Sequence, residues 1–168
     1  MSTPRPAVPA DAEELVELRA LMFESMQGEA RPGPWQRTAA DLLTTQLASP
    51  ERRLQAYVID DPERPGRLLS CAVGTLEQRL PAPGHPEGRF GFVFNICTRP
   101  EHRGRGHARA CTEALLAWFD AAGATRIDLH ATEGGEALYR SLGFQEHSTA
   151  LSRQRPPATA GPTAGPAA

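Results

Sequence analysis

The alternation of apolar and polar positions puts helices early in the chain and strands later. Leu15, Leu18, Leu21 and Met22 share one face at the three- and four-residue steps of an amphipathic helix. Asp11, with Glu14 three residues on, approximates a capping box at its start. Segment 28–34 breaks the pattern with glycine and proline. Leu42, Leu43 and Leu47 then resume helical spacing, which predicts a second helix over roughly 37–47. Segments 54–59 and 67–75 read as strands. The run Asp60-Asp61-Pro62-Glu63-Arg64-Pro65-Gly66 between them is dense in residues that stop strands.

A second loop, 81–88, leads into the β-type run Phe92, Val93, Phe94 and Ile96. His85 lies in that loop, where a solvated position is expected and a substrate contact is the lesser alternative. Pro100 disfavours helix at Arg99 and breaks the run. Ala108, Cys111, Leu115, Trp118 and Ala122 mark one face of a helix from 106 to about 121, which Gly123 stops. A strand follows over 125–131, with Ile127, Leu129 and Ala131 on one face and Asp128 and His130 on the other. A short helix through Glu136, Ala137 and Tyr139 ends at Gly143, and Phe144 onward reads as a final strand or hairpin remnant. Helices, then strands, then strand–helix alternation predict a single α/β domain over 1–154, with a mixed central sheet flanked by helices. From 155 to 168 the chain is, after Arg155, only Pro, Ala, Gly and Thr with almost nothing to bury, and is expected to be a flexible, disordered tail.

Composition narrows the class. A chain of 168 residues with 40% hydrophobic content and a net charge of −2 suits one soluble domain. No apolar run approaches the roughly 20 residues of a membrane span, and residues 1–10 lack the apolar core of a secretory signal. The expected location is cytoplasmic, with no membrane partner. Negative net charge and the lack of a basic stripe argue against nucleic acid. Cys71, Cys97 and Cys111 are odd in number, lie in apolar surroundings and form no CxxC pair. They read as buried free thiols, with no metal site. The chain contains no lysine, a compositional bias that says little about function.

The chemistry concentrates where the strand at 92–96 hands over to the helix at 106. Two glycines at such a junction suggest an anion site, because glycine lets the backbone turn tightly and the new helix offers unpaired N–H groups. A dinucleotide fingerprint would need a small third residue, and Gly104-Arg105-Gly106-His107-Ala108-Arg109 puts Arg109 there. A Walker A loop needs a lysine. What remains is Arg/Gln-x-x-Gly-x-Gly/Ala, met by Arg103, Gly106 and Ala108. At these residues the chain resembles the GCN5-related N-acetyltransferases (GNAT), which use this turn for the pyrophosphate of acetyl-CoA. A second motif supports the resemblance. Thr132 to Phe144 matches the family's Asn-x-x-x-x-Ala-x-Tyr-x-x-x-Gly-Phe at Ala137, Tyr139, Gly143 and Phe144. It departs at Thr132, where the shorter reach of threonine weakens a contact to the pantetheine arm.

The resemblance implies an enzyme that moves an acetyl group from acetyl-CoA, its co-substrate, to a primary amine of a small molecule, peptide or protein. It implies that backbone groups of Ile96, Cys97 and Thr98 lie beside the acetyl and pantetheine portion. The turn Arg103, Gly104, Arg105, Gly106, His107 and Ala108 would take the pyrophosphate. Tyr139 occupies the position of the general acid toward the coenzyme A sulfur, and its alternative reading is a core tyrosine. In the family the loop between the first two helices lies over the acceptor pocket, so Met26, Trp35 and Gln36 are candidates for substrate contact. The resemblance permits a homodimer, which no position specifies. Glu77, His130 and Glu133 are conceivable general bases, and an amine deprotonated in solution needs none. The rival class is a noncatalytic acyl-CoA-binding sensor module.

Overall fold

The central strands are buried on both sides, and their side chains divide between two apolar clusters, one on each face of the sheet. In β2 (Leu54–Asp60), Leu54, Ala56 and Val58 join one apolar cluster while Tyr57 and Ile59 join another, as the two-residue period of a strand requires. β3 (Leu68–Gln78) and β4 (Arg89–Thr98) extend the same division. The computed structural model describes residues 2–29 and 31–155. The sequence-predicted tail at 155–168 therefore falls outside them except for Arg155.

The sheet has the order β1-β2-β3-β4-β5, where β1 is Arg5–Pro6 and β5 is Arg126–Leu129. The first four strands are antiparallel neighbours, and β5 is parallel to β4. A parallel neighbour needs a crossover, and α3 (His107–Ala121) supplies it. α1 (Ala12–Gln27) and α2 (Trp35–Ala48) cover one face through Leu15, Leu18 and Leu43, while α3 covers the other through Cys111, Leu115 and Phe119. This is the mixed sheet flanked by helices that the pattern predicts. α3 sits close because β3 and β4 present glycines beneath it: a β carbon at Gly74 or Gly91 would lie 2.7 or 2.8 Å from the Phe119 ring. The three cysteines are buried free thiols.

Four local expectations are corrected. Asp11 does not cap α1: its carboxylate accepts from the Val8 N–H at 2.8 Å and pairs with Arg5 at 2.8 Å. Glu14 instead accepts from the Leu68 N–H at 2.8 Å and from Arg99 at 2.9 Å, tying α1 to the sheet. Long-range partners outcompete the local cap. β5 is shorter than the strand predicted over 125–131, since its only strand neighbour, β4, pairs with it from Arg126 to Leu129. The stretch after Phe144 forms no strand among the described residues and leaves the outer edge of β5 unpaired there. No helix among them is long and apolar enough to cross a membrane.

Candidate active site

Two strands that pair and then part create the central cavity. β4 pairs with β5 only from Phe90↔Arg126 to Val93↔Leu129. On its other side β4 stays paired with β3 to Ser70↔Thr98, with Phe94 bulged out of register between Asn95 and Val93. A bulge bends the strand and raises its twist. From Phe94 to Thr98 one edge of β4 thus lacks a strand partner, and a cavity of about 690 Å³ opens there. Its walls are the second half of α1, β4, the start of α3 and the segment from Leu129 to Tyr139.

The sequence-predicted residues converge on this cavity with one exception. Ile96, Cys97, Thr98, Arg103, Gly104, Gly106, His107, Ala108 and Tyr139 all line it. Arg105 does not, and instead lines a second hollow on the other side of the turn. Among the looser candidates Met26 and His130 line the cavity, whereas Trp35, Gln36, Glu77 and Glu133 do not. Trp35 is a packing anchor, edge-on to Phe23 with ring centroids 5.8 Å apart. Its indole N–H donates to the Arg31 carbonyl at 2.9 Å. His85 is also outside, with Nδ1 2.7 Å from Thr125 Oγ1 and its ring 4.8 Å from that of Phe90. Thr132 lines the cavity, and its carbonyl accepts from the Gly135 and Glu136 N–H groups at the start of α4 (Glu136–Ser141).

The turn between β4 and α3 has an open backbone held by two left-handed glycines. Gly104 and Gly106 hold φ of +73° and +80°, conformations in which a β carbon is strained. The space over both is open, since an added β carbon would meet nothing within 4 Å. The first backbone bond of α3 runs from the Ala110 N–H to the Gly106 carbonyl. Among the described residues, no acceptor engages the N–H groups from Gly104 to Arg109. Such orphan donors at a helix start, with the positive end of its dipole, favour phosphate. Arg103 Nε donates to the Thr98 carbonyl at 3.1 Å, which docks the turn on the end of β4. Burial, with the nearby His102 and Arg105 side chains, holds His107 below its ordinary value. The buried Nδ1 of His102 has no partner among the described residues.

Across the cavity, Tyr139 lies on α4 with its ring against Gly135. Burial pushes its phenol above the usual value, so it stays protonated over a wide pH range. Cys97 faces the α1 and α2 core. Burial raises its thiol, against the opposing influence of Arg103 and Arg99. Two arginines of the lining, Arg19 and Arg109, escaped sequence reasoning, and from the sequence His102 reads only as a residue packed beside the turn. Arg109 donates to Ser141 Oγ at 2.6 Å and joins α3 to α4. His102 and Arg19 also line the cavity, and neither sits in a motif.

The same fold recurs in solved acetyltransferases. The structure is similar to that of a predicted acetyltransferase with acetyl-CoA from Clostridium acetobutylicum, at TM-score 0.79 and 21% identity over 92% of this chain and 96% of that one. A GCN5-related N-acetyltransferase from Ralstonia eutropha JMP134 aligns at TM-score 0.75 and 26% identity, over 92% of this chain and 99% of that one. The aminoglycoside N-acetyltransferase AAC(6')-Iy in complex with CoA aligns at TM-score 0.69 and 15% identity, over 92% and 95%. Among curated proteins none gives a significant match. The chain belongs to the acetyltransferase (GNAT) family, whose profile matches residues 15–144.

Proposed function

We propose that the protein is an N-acetyltransferase that moves an acetyl group from acetyl-CoA to a primary amine by direct attack in a ternary complex. The acceptor is a small molecule or a peptide or protein amine. The observation that carries the reading is the row of unengaged backbone N–H groups from Gly104 to Arg109, opening on the same cavity as the free edge of β4 and Tyr139. The residues fit the donor: open space over Gly104 and Gly106 admits phosphate oxygens close to the backbone. The turn from Arg103 to Ala108 would hold the pyrophosphate, and Ile96, Cys97 and Thr98 would flank the pantetheine and acetyl portion.

Acetyl-CoA, when bound, supplies the activated thioester carbonyl. The neutral amine nitrogen attacks that carbonyl, the carbon–sulfur bond breaks, and the products are the acetamide and coenzyme A. The β4 edge at Ile96 to Thr98 offers backbone N–H donors for the charge that develops on the carbonyl oxygen. Tyr139 gives its phenolic proton to the departing sulfur, the amine loses its proton to water, and water returns one to the phenolate, so that the enzyme ends unchanged. A phenol kept protonated by burial suits this donation. An acetyl-enzyme on Cys97 is disfavoured, since its thiol packs into the core and is held protonated. Tyr139 in the cavity also favours catalysis over a noncatalytic sensor.

The test is thermal-shift or calorimetric titration with acetyl-CoA alongside NAD and ATP, followed by an amine screen for turnover. A ligand of the folded state raises apparent stability. Selective stabilisation by acetyl-CoA with turnover is the expected outcome, and no response to acetyl-CoA overturns the reading.

A further inference from the structure

Arg19 stands on α1, in the cavity wall, and pairs with no carboxylate among the described residues. Its Nη1 donates to Asn95 Oδ1 at 3.3 Å, the one hydrogen bond it makes among the described residues. Its guanidinium carbon lies 4.8 Å from the centre of the Phe23 ring and 5.7 Å from that of Phe94. Asn95 is itself 2% exposed and donates through Nδ2 to Cys71 Sγ at 3.4 Å. The amide oxygen is thereby fixed toward Arg19. Two rings and a buried amide therefore aim this side chain, leaving most of its five N–H donors unspent.

The rest of the cavity deepens the imbalance. Among the described residues that line it, arginines and histidines are present and no aspartate or glutamate is. Yet the chain carries 20 acidic residues, and the other half-buried or buried arginines have taken some of them. Arg99 pairs with Glu14 and Glu17, and Arg5 with Asp11 and Asp60. Burial pulls the Arg19 guanidinium below its ordinary value, and no carboxylate counters this. Arginine nonetheless stays charged at neutral pH. Removing a cation from water without a partner is costly, so the missing partner belongs to a ligand.

Position separates that ligand from the phosphates. Arg19 meets β4 at Asn95, one residue before Ile96, whereas the phosphate-type turn begins only past the end of the strand at Thr98, roughly 10 Å further on at the rise of a strand. We infer that Arg19 binds a carboxylate on the acceptor, so that the acceptor is a small amino-acid-type amine. The geometry brings the carboxylate beside the point of acetyl transfer and repels polycationic amines from a cavity that offers them no acidic group. This inference rests on the acetyl-CoA reading above.

The experiment pairs amines that differ in one charge, an amino acid and its primary amide, across a panel of amino acids. Turnover with acetyl-CoA is measured for the wild type, Arg19→Gln and Arg19→Lys, with acetyl-CoA thermal shift on each. Binding of the N-acetylated amino acids in the presence of coenzyme A is measured alongside. The wild type is expected to prefer the acid over its amide by about ten- to a hundredfold in kcat/KM, the range of a charge-assisted contact. Arg19→Gln should abolish that preference, chiefly through KM, and Arg19→Lys should keep part of it, with the acetyl-CoA shift unchanged in all three. Equal use of acid and amide, or acetyl-CoA stabilisation with no amino acid turned over and no N-acetyl product bound, overturns the proposal alone. So does loss of the acetyl-CoA shift in Arg19→Gln, which would make Arg19 a donor contact. No acetyl-CoA shift in the wild type overturns the functional reading beneath it.

Discussion

The ring of Tyr139 rests on the backbone of Gly135: a β carbon added there would stand 2.8 Å from Cε2 and 3.0 Å from Oη. Glycine at 135 is thus required by space, and it sets where the proposed proton donor sits over the cavity. Gly135→Ala should move the phenol and lower kcat by about tenfold to a hundredfold, the sensitivity of a misplaced catalytic group. Acetyl-CoA binding should be retained. Steady-state kinetics with a parallel thermal-shift titration checks both.

Removing the phenol is the sharper version of that experiment. Tyr139→Phe should reduce kcat about a hundredfold or more with little change in stability. Because burial raises the phenol, the donor stays protonated past its ordinary value of about 10. Any loss of rate at alkaline pH that Tyr139 causes should therefore begin above about pH 10, and be absent from the Phe variant. A limb that survives the substitution would assign it to another group.

Gly106 tests the turn. Its φ of +80° penalises any other residue, while the space above it is open. Gly106→Val should cost about 1–2 kcal/mol of stability and eliminate stabilisation by acetyl-CoA. Asparagine tolerates the left-handed conformation better, so Gly106→Asn should fold more stably than the valine variant.

The thiols report on the core and on the order of chemistry. Cys71 and Cys111 are 0% exposed, and burial pushes Cys111 up to about 12 and Cys71 up as well. Both should resist a disulfide reagent at pH 8 in the native protein and react once it is unfolded. Cys97→Ala should retain turnover, and intact-mass measurement during turnover should detect no acetylated enzyme.

Acid should loosen the N-terminal clamp. Burial alone would raise the Asp11 carboxyl, but its bonds from Arg5 and the Val8 N–H outweigh this and hold it low. A carboxyl lowered in the folded state stabilises above its ordinary value and loses that contribution as pH falls through the folded value. Asp11→Ala should therefore cost about 1–2 kcal/mol at neutral pH and little in strong acid. Urea unfolding of both proteins at the two pH values tests the sign.

How much of this was legible depends on how far apart the partners lie. The β4 run, the glycine turn and the face of α3 were readable because each expresses the geometry of a few consecutive residues. Cys71, Cys97 and Cys111 were readable as buried thiols for the same reason. Asp11 and Glu14 misled, since their spacing is that of a cap while their partners are Arg5, Leu68 and Arg99. Phe144 onward reads as a strand from the sequence and forms none among the described residues, although β5 offers an outer edge.

Arg19 shows the limit most plainly. In the sequence it is one arginine on a helix, and it meets Asn95 across 76 residues. The register that bulges Phe94, the parting of β4 from β5 and the seating of Tyr139 on Gly135 are likewise properties of packing. Spacing along the chain specifies which elements form and where a phosphate-type turn begins, because those depend on local backbone geometry. Which side chains share a cavity, and which are left there without a counter-charge, is set only when distant elements close on one another and exclude water between them.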